Sequence, residues 1–496
     1  MTLIGALSFI SLLNGIWAGI IVVLLFGLAI FIHELGHFLA ARKLGFRVDA
    51  FALGFGPAIW KKKIGETVYK ICIIPFGGYV ALPQLDPSGM DKLQGNNEDN
   101  EKQSGDDAIT SNKPLAEIAP WKKIIVSVAG PFGNVVLAAI LAWIIWMAPS
   151  SFTGGTGTII GTVEQDSQAW EAGVRAGQKI LRVNNTEIRS WFDFIVECHL
   201  SSDGTTGVSV VLQDGNNQRE VILYPTQSGD DLRFVKGLSP QTQCYVQAVK
   251  VNSPAEGGGI KKGDFILKMD GLSILSMSQF VEKVSAYGEK PMALEILRDK
   301  ETVSLSITPQ FNREENRSMI GVELRDAIHN VPVWMQYSNP FRQLQADASS
   351  VLRILRAFFL PKTQGETKRA AASVGGPLLI MVKLWDTVRE SFISSLGFLR
   401  CICVNLAIIN LLPFPVLDGG HIMFALWEIV TRRKPNFKVV NALVNAFAIL
   451  LIGLMLLLVY RDGRRLYSER QRQHNNDTKN EMPDIDTAPV VEEGVP

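Results

Sequence analysis

Gly15 to Ala41 is an apolar stretch longer than the roughly 20 residues needed to cross a bilayer, and near its end stands His33-Glu34-Leu35-Gly36-His37. This feature most constrains the fold. A membrane helix that carries polar groups must turn them towards protein or a water-filled cavity, because hydrocarbon cannot solvate them. On a helix, residues four apart share a face, so His33 and His37 can offer two imidazoles to one metal ion. Glu34 falls beside them, free to act as a base towards water on that metal.

Three more segments are long and apolar enough to span: about 124–147, 392–412 and 439–460. Mean hydropathy is positive, +0.16, although 20% of residues are charged. Segregation explains the combination: apolar blocks lie at both ends and an ordinary globular stretch lies between them. A length of 496 residues is too great for one domain. The formal net charge of +1 gives no electrostatic reason to expect a nucleic-acid partner. The N-terminus lacks the basic start and small-residue cleavage site of a secretory signal, so it reads as a retained membrane helix. Five cysteines without a CxxC pair indicate neither a disulfide framework nor a thiolate zinc site. Cys198 and Cys244, both in the middle region, leave a bridge between them open.

Basic residues set the expected orientation. Arg42, Lys43, Arg47, Lys61–Lys63, Lys122 and Lys123 flank the first connection, and Arg432, Arg433 and Lys434 the third. Both connections therefore read as cytoplasmic, which puts the middle region and both termini outside. Arg461, Arg464, Arg465, Arg470 and Arg472, after the last span, run against this assignment.

Between the first two spans, Thr67 to Leu82 is β-branched and aromatic around Pro75-Phe76-Gly77-Gly78, which predicts a hairpin dipping towards the membrane. Leu85 to Ala119 is rich in Asp, Glu, Asn, Gly and Ser, and reads as a disordered loop. The middle region repeats itself: Val163, Ala169, Val174, Gly177, Ile180, Val183 and Phe194 recur 86 positions on as Val249, Ala255, Ile260, Gly263, Ile266, Met269 and Phe280. Two copies at so long a spacing mean duplicated small domains rather than a solenoid. The run Ser253 to Gly271 resembles PDZ domains, which bind extended segments by strand addition. The first copy departs from it with Gln178 in place of Asp264. Gly154 to Gly161 has the wrong glycine spacing for a phosphate loop and reads as a linker. Phe341 to Leu360 is amphipathic, suited to a membrane surface or to bracing the repeats. The tail from Asp477 on is acidic and reads as disordered.

A catalytic zinc takes three protein ligands and keeps one position open. His33 and His37 supply two. Candidates for the third sit in Asn410 to Phe424 (NLLPFPVLDGGHIMF), where Asp418 and His421 both follow helix-breaking prolines. Glu428 follows an amphipathic turn and is expected to face water.

Taken together, HELGH, Ala129 to Ala138 (AGPFGNVVLA), Ser373 to Pro377 (SVGGP) and LLPFPVLDGGH resemble the site-2 protease family. The tandem PDZ-like insert resembles its bacterial branch of regulator-of-sigma-E type. The resemblance covers about residues 15–465. It implies an intramembrane zinc metalloprotease with His33, His37 and Asp418 as metal ligands, Glu34 as catalytic base and Asn410 in substrate binding. It also implies single-pass membrane substrates, an upstream site-1 protease that cuts first outside, and a bacterial inner-membrane location with the PDZ-like domains periplasmic. The substrates it implies are of the kind of an anti-sigma factor or a remnant signal peptide. One rival is a membrane-tethered PDZ scaffold or chaperone with a vestigial metal site. The other is a metal transporter, which would be expected to carry polar residues on more of its spans.

The expected fold is thus a polytopic α-helical membrane protein with four transmembrane helices and two inserted PDZ-like α+β domains. Its parts are a first helix at 1–41, a membrane-associated hairpin and acidic loop at 42–123, and a second helix at 124–148. PDZ-like domains follow at 156–236 and 237–312, then amphipathic helices at 335–390. The third helix with its LDG motif occupies 391–424, the fourth 439–460, and a polar tail 461–496.

Overall fold

The computed structural model describes residues 2–85, 117–147, 158–228, 232–242, 244–298, 301–313, 315–326 and 339–481. Most of the acidic loop, the start of the glycine linker and the end of the tail lie outside them. Among the described residues four helices are long and apolar enough to cross a membrane: Gly15–Leu44, Pro120–Met147, Phe392–Asn410 and Phe437–Ser468. They belong to α1 (Thr2–Leu44), α2 (Pro120–Met147), α10 (Phe392–Asn410) and α12 (Phe437–Glu481).

Between α1 and α2 lies a ribbon of β1 (Ala50–Ile64) and β2 (Thr67–Ala81). The hairpin expected within Thr67 to Leu82 has a different extent. Its turn is Gly65–Glu66, where Gly65 supplies a positive φ of 64°, and Thr67 to Ala81 is a single arm. Pro75 to Gly78 lies inside β2, where the register is irregular. The N-terminal part of β1 pairs twice: Ala50 stands opposite both Val68 and Ala81, and Leu53 opposite both Ile71 and Gly78. Residues 78–81 therefore form an outer strand of the ribbon.

The first repeat comprises β3 (Ile160–Val163), α3 (Gln168–Glu171), β4 (Lys179–Val183), β5 (Thr186–Glu187), α4 (Trp191–Ser201), β6 (Val208–Asp214), β7 (Asn217–Leu223), β8 (Thr226–Ser228), β9 (Leu232–Phe234) and β10 (Leu238–Pro240). The second comprises β11 (Cys244–Val249), α5 (Pro254–Gly257), β12 (Phe265–Met269), β13 (Leu272–Ser273), α6 (Met277–Tyr287), β14 (Met292–Arg298), β15 (Glu301–Ile307), β16 (Gln310–Asn312), β17 (Arg317–Met319) and β18 (Val322–Asp326). In each, a late strand returns to pair with the first: β10 with β3, and β18 with β11. These closing strands lie beyond the boundaries drawn at 236 and 312. The two cores are separate, with Cys198 buried in one and Cys244 in the other, and both thiols are free. The bridge left open by the sequence is not formed.

After the repeats come α7 (Pro340–Phe359), α8 (Glu366–Ser373), α9 (Pro377–Glu390) and α11 (Asp418–Thr431), the last between α10 and α12. α8 and α9 meet at a 52° break. α9 is more than a surface helix, since Leu384, Met381 and Trp385 join the core shared by α1, α2 and α10. Asp462, just past the apolar part of α12, accepts from the Gly376 and Leu379 amides at 3.1 and 2.9 Å. It thereby satisfies the open N-terminus of α9. The Ser373 to Pro377 motif is thus the joint at which α12 grips α9. It also puts the start of the tail at the same end of the bundle as α8 and the repeats.

Candidate metal centre

The α1–α2 crossing is made by small residues. A methyl group at Gly36 would collide with the Ala129 carbonyl, and one at Gly130 with the His37 ring. Only hydrogen at these positions lets the two backbones touch, which brings His37 flat against α2. Its Nδ1 donates to the Val126 carbonyl at 2.8 Å. This bond keeps the proton on Nδ1 and leaves the Nε2 lone pair facing the site.

Asp418 arrives from the far end of the chain. The segment after α10 folds tightly, and side chains at Gly419 or Gly420 would strike the carbonyls of Leu412 and Phe414. Asp418 Oδ2 lies 3.3 Å from His33 Nε2, and its Oδ1 lies 3.3 Å from His37 Nε2. The two imidazole Nε2 atoms are 3.2 Å apart. Zinc–ligand bonds of about 2.0–2.1 Å in tetrahedral geometry require ligand atoms about 3.3 Å apart, close to the spacings that the two imidazole nitrogens and the two carboxylate oxygens show. The sequence left His421 as a rival third ligand. Among the described residues, the group able to hold a metal is His33, His37 and Asp418. His421 instead lines a cavity of about 340 Å³ with Lys123 and Glu428. Glu428, expected to face water, is paired with Lys123 at 2.8 Å.

Glu34 is within electrostatic reach of both histidines and Asp418. Gly78 of the ribbon's outer strand covers it so closely that a methyl there would sit 3.0 Å from Glu34 Cγ. Asn410, at the end of α10, holds its amide 3.4 Å from His33 Nε2, beside the metal-facing nitrogen. The fold brings to the site one residue to which the sequence assigns no role. Asn134, fully buried, faces His33 Nδ1 at 3.4 Å. The atom placed there is the amide nitrogen; with a metal on Nε2 the proton would sit on Nδ1, and Asn134 would turn its amide oxygen to accept it. An asparagine inside an apolar span was the signal that could have found it.

The profile described as Peptidase family M50 matches residues 21–454. The chain is 28% identical over 474 residues to the regulator of sigma-E protease RseP of Escherichia coli, covering 92% of this chain and all of that protein. It is 27% identical over 459 residues to the regulator of sigma E protease of Haemophilus influenzae, covering 88% of this chain and 96% of that one. Among solved structures, the PDZ domain of an SdrC-like protein from Listeria monocytogenes aligns at 22% identity and a TM-score of 0.16. That alignment covers 17% of this chain and 90% of the domain.

Proposed function

We propose that this chain, which belongs to peptidase family M50 and is a multi-pass zinc metalloprotease of the site-2 type, cuts the membrane segments of single-pass proteins that another protease has already trimmed outside. The observation that carries this reading is the triangle of His33 and His37, on a membrane helix, with Asp418, at the start of α11, and with Glu34 beside it. His33, His37 and Asp418 would hold the zinc, which when bound supplies Lewis acidity to a peptide carbonyl and to water. The protein's own groups do the rest. Val126 and Asn134 fix the two imidazoles. Glu34 accepts the proton of the attacking water and delivers it to the departing amine. Asn410 offers an amide N–H to the oxyanion that develops on the carbonyl.

A helical substrate hides its peptide bonds in its own hydrogen bonds, so it has to unwind first. Residues 78–81 run beside Glu34 and can take the unwound segment as an added strand. The PDZ-like pair then acts as a filter that turns away proteins still carrying a bulky extramembrane domain. Its side of the membrane is the outer one by the lysine and arginine bias of the connections, which is the periplasm in the bacterial inner membrane that the family resemblance implies.

The test is membrane proteomics on cells carrying Glu34→Gln. Single-pass fragments should accumulate, and cleavage of a reporter should fall by about 10³-fold while zinc content stays at wild-type level. In the same assay Gly78→Val, which fills the space over Glu34, should slow cleavage without loss of zinc. Unchanged fragments in Glu34→Gln would leave the chain a scaffold.

A further inference from the structure

The arginines after the last span run against the positive-inside rule, and the fold shows where they go. A cleft of about 620 Å³ lies between α12, the end of α7 and the α8–α9 joint. Phe358, Leu454 and Leu457 line its apolar part, and Arg461, Arg464 and Arg465 its polar part. From the geometry of this cleft we propose that it binds an anionic phospholipid, with the phosphate on the arginines and an acyl chain along the leucines.

Four observations carry this. The first is depth. Arg461 lies 24 positions beyond Phe437, about 36 Å of helix, while the hydrocarbon core is about 30 Å thick and the headgroups bring the total to about 40–45 Å. The arginines therefore stand at headgroup level. The second is charge. Arg461 donates to two neutral carbonyls, Ala371 and Val374, and its sequence neighbour Asp462 is committed to the α9 N-terminus. Among the described residues no carboxylate is paired with Arg461 or the exposed Arg464. Among the described side chains, two cations thus stand together without a paired carboxylate, in an arrangement suited to a phosphate oxygen set.

The third observation is continuity. Leu454 and Leu457 are 51% and 61% exposed, and they extend into the exposed apolar surface of α12. A free phosphate would leave that wall bare, whereas a phospholipid fills both halves of the cleft. The fourth is position. The cleft sits where α12 grips α9, so a lipid there would brace the joint that ties the last helix to the rest of the bundle.

The experiment uses the full-length protein, reconstituted with phosphatidylglycerol or with phosphatidylcholine, then released into neutral detergent for native mass spectrometry. Wild type should retain phosphatidylglycerol and shed phosphatidylcholine. The doubly substituted Arg464→Ser/Arg465→Ser protein should retain phosphatidylglycerol about tenfold less, and Arg464→Gln alone should show a smaller loss. The control Arg432→Ser/Arg433→Ser, equal in charge but at the other end of the bundle, should retain it as wild type does. Peptide cleavage in phosphatidylcholine vesicles should be unchanged in the Arg464 variants, which shows that they fold. Three outcomes overturn the proposal: equal retention of the two lipids by wild type, equal retention of phosphatidylglycerol by wild type and the double variant, or displacement of the lipid by millimolar inorganic phosphate. The last would make the cleft a site for free phosphate.

Discussion

The two PDZ-like copies build the same turns with different chemistry. In copy 2, Asp264 is almost fully buried and holds Arg298 at 2.7 and 2.8 Å, while Arg298 also donates to the Gly259 carbonyl. Eighty-six positions earlier Gln178 takes the place of that aspartate. It accepts from Arg219 and donates to Asp214, and Arg219 donates to Gly173, the counterpart of Gly259. Both networks hold the loop between the short helix and the next strand. Copy 2 does so with a buried charge, and copy 1 with a neutral amide that passes the charge to Asp214. Their surroundings differ as well. In copy 1, Asp193 pairs with Arg353 of α7 at 2.8 Å, His199 donates to the Arg369 carbonyl, and Arg369 donates to Leu200. Copy 2 meets copy 1 through the Thr162–Ser276 hydroxyl pair. α7 in turn is bound to the membrane helix α10 by Asp347 and the fully buried Arg400, 2.7 Å apart. Copy 1 is thus the seat, fixed through α7 to the helix that ends at Asn410, and copy 2 rides on it.

The sharpest way to break this comparison is to remove one arginine from each network. Arg298→Ala leaves the Asp264 carboxylate buried without its partner, which should cost about 3 kcal/mol. Hydrogen exchange in the full-length protein should then show β12 and β14 exchanging roughly 100-fold faster, with β4 and β6 unchanged. Copy 1 would lose only about 1 kcal/mol in Arg219→Ala, because its Gln178–Asp214 bond survives. Equal losses would mean that the two networks are equivalent after all.

The seat itself is tested by Arg353→Ala, which frees Asp193 from α7. It should cost about 1.5 kcal/mol of docking, read as faster exchange in α4 while copy 1's own strands stay protected. If the repeats act as a filter seated on α7, this variant should begin to cut substrates that still carry their outer domain, and trimmed substrates should be cut at the wild-type rate. Continued refusal of the untrimmed ones would separate the filter from the seat.

The repeat was legible because a packed turn fixes residue types by position. The helix caps recur at the same offset, Ser167 with Ser253 and Ser190 with Ser276, and each accepts from a backbone amide of its helix. The four spans were legible because lipid requires apolar length. His33 and His37 were legible because both lie on one helix, so their spacing states their geometry. The join to Asp418, 381 positions beyond His37, is a tertiary contact that spacing cannot express, and His421 stayed open for that reason. The same limit hid Asn134 opposite His33, the Asp462 cap on α9 and the Asp347–Arg400 pair. The start of the ribbon was hidden for a local reason. β1 contains Gly54, Gly56 and Pro57, which read as breakers, and in the structure Gly54 and Gly56 take positive φ within the strand.

The smallest effect separates the copies at one hydrogen bond. Asp270 in copy 2 and Asn184 in copy 1 are counterparts, and both have positive φ, 49° and 50°. Each side-chain oxygen accepts from the neighbouring strand, Asp270 from Ala293 at 2.8 Å and Asn184 from Ser209 at 3.1 Å. The nearby Tyr287 hydroxyl and the hydrogen bond from the Ala293 amide hold the Asp270 carboxyl below its usual range. A carboxylate depressed in the folded state stabilises above its unfolded pKa of about 3.9, and that contribution is lost as pH falls through the folded value. Asn184 does not titrate. Copy 1 has its own acid-sensitive turn at Asp203, held low by Thr205 and Thr206, so whole-domain melting would blur the difference. The amides themselves resolve it. As pH falls below 4, protection of the Ala293 N–H, corrected for intrinsic exchange, should fall while that of Ser209 holds, and Asp270→Asn should make the two alike. Parallel loss at both amides would show that acid acts on the domains as wholes, and that the aspartate–asparagine exchange between the copies has no bearing on it.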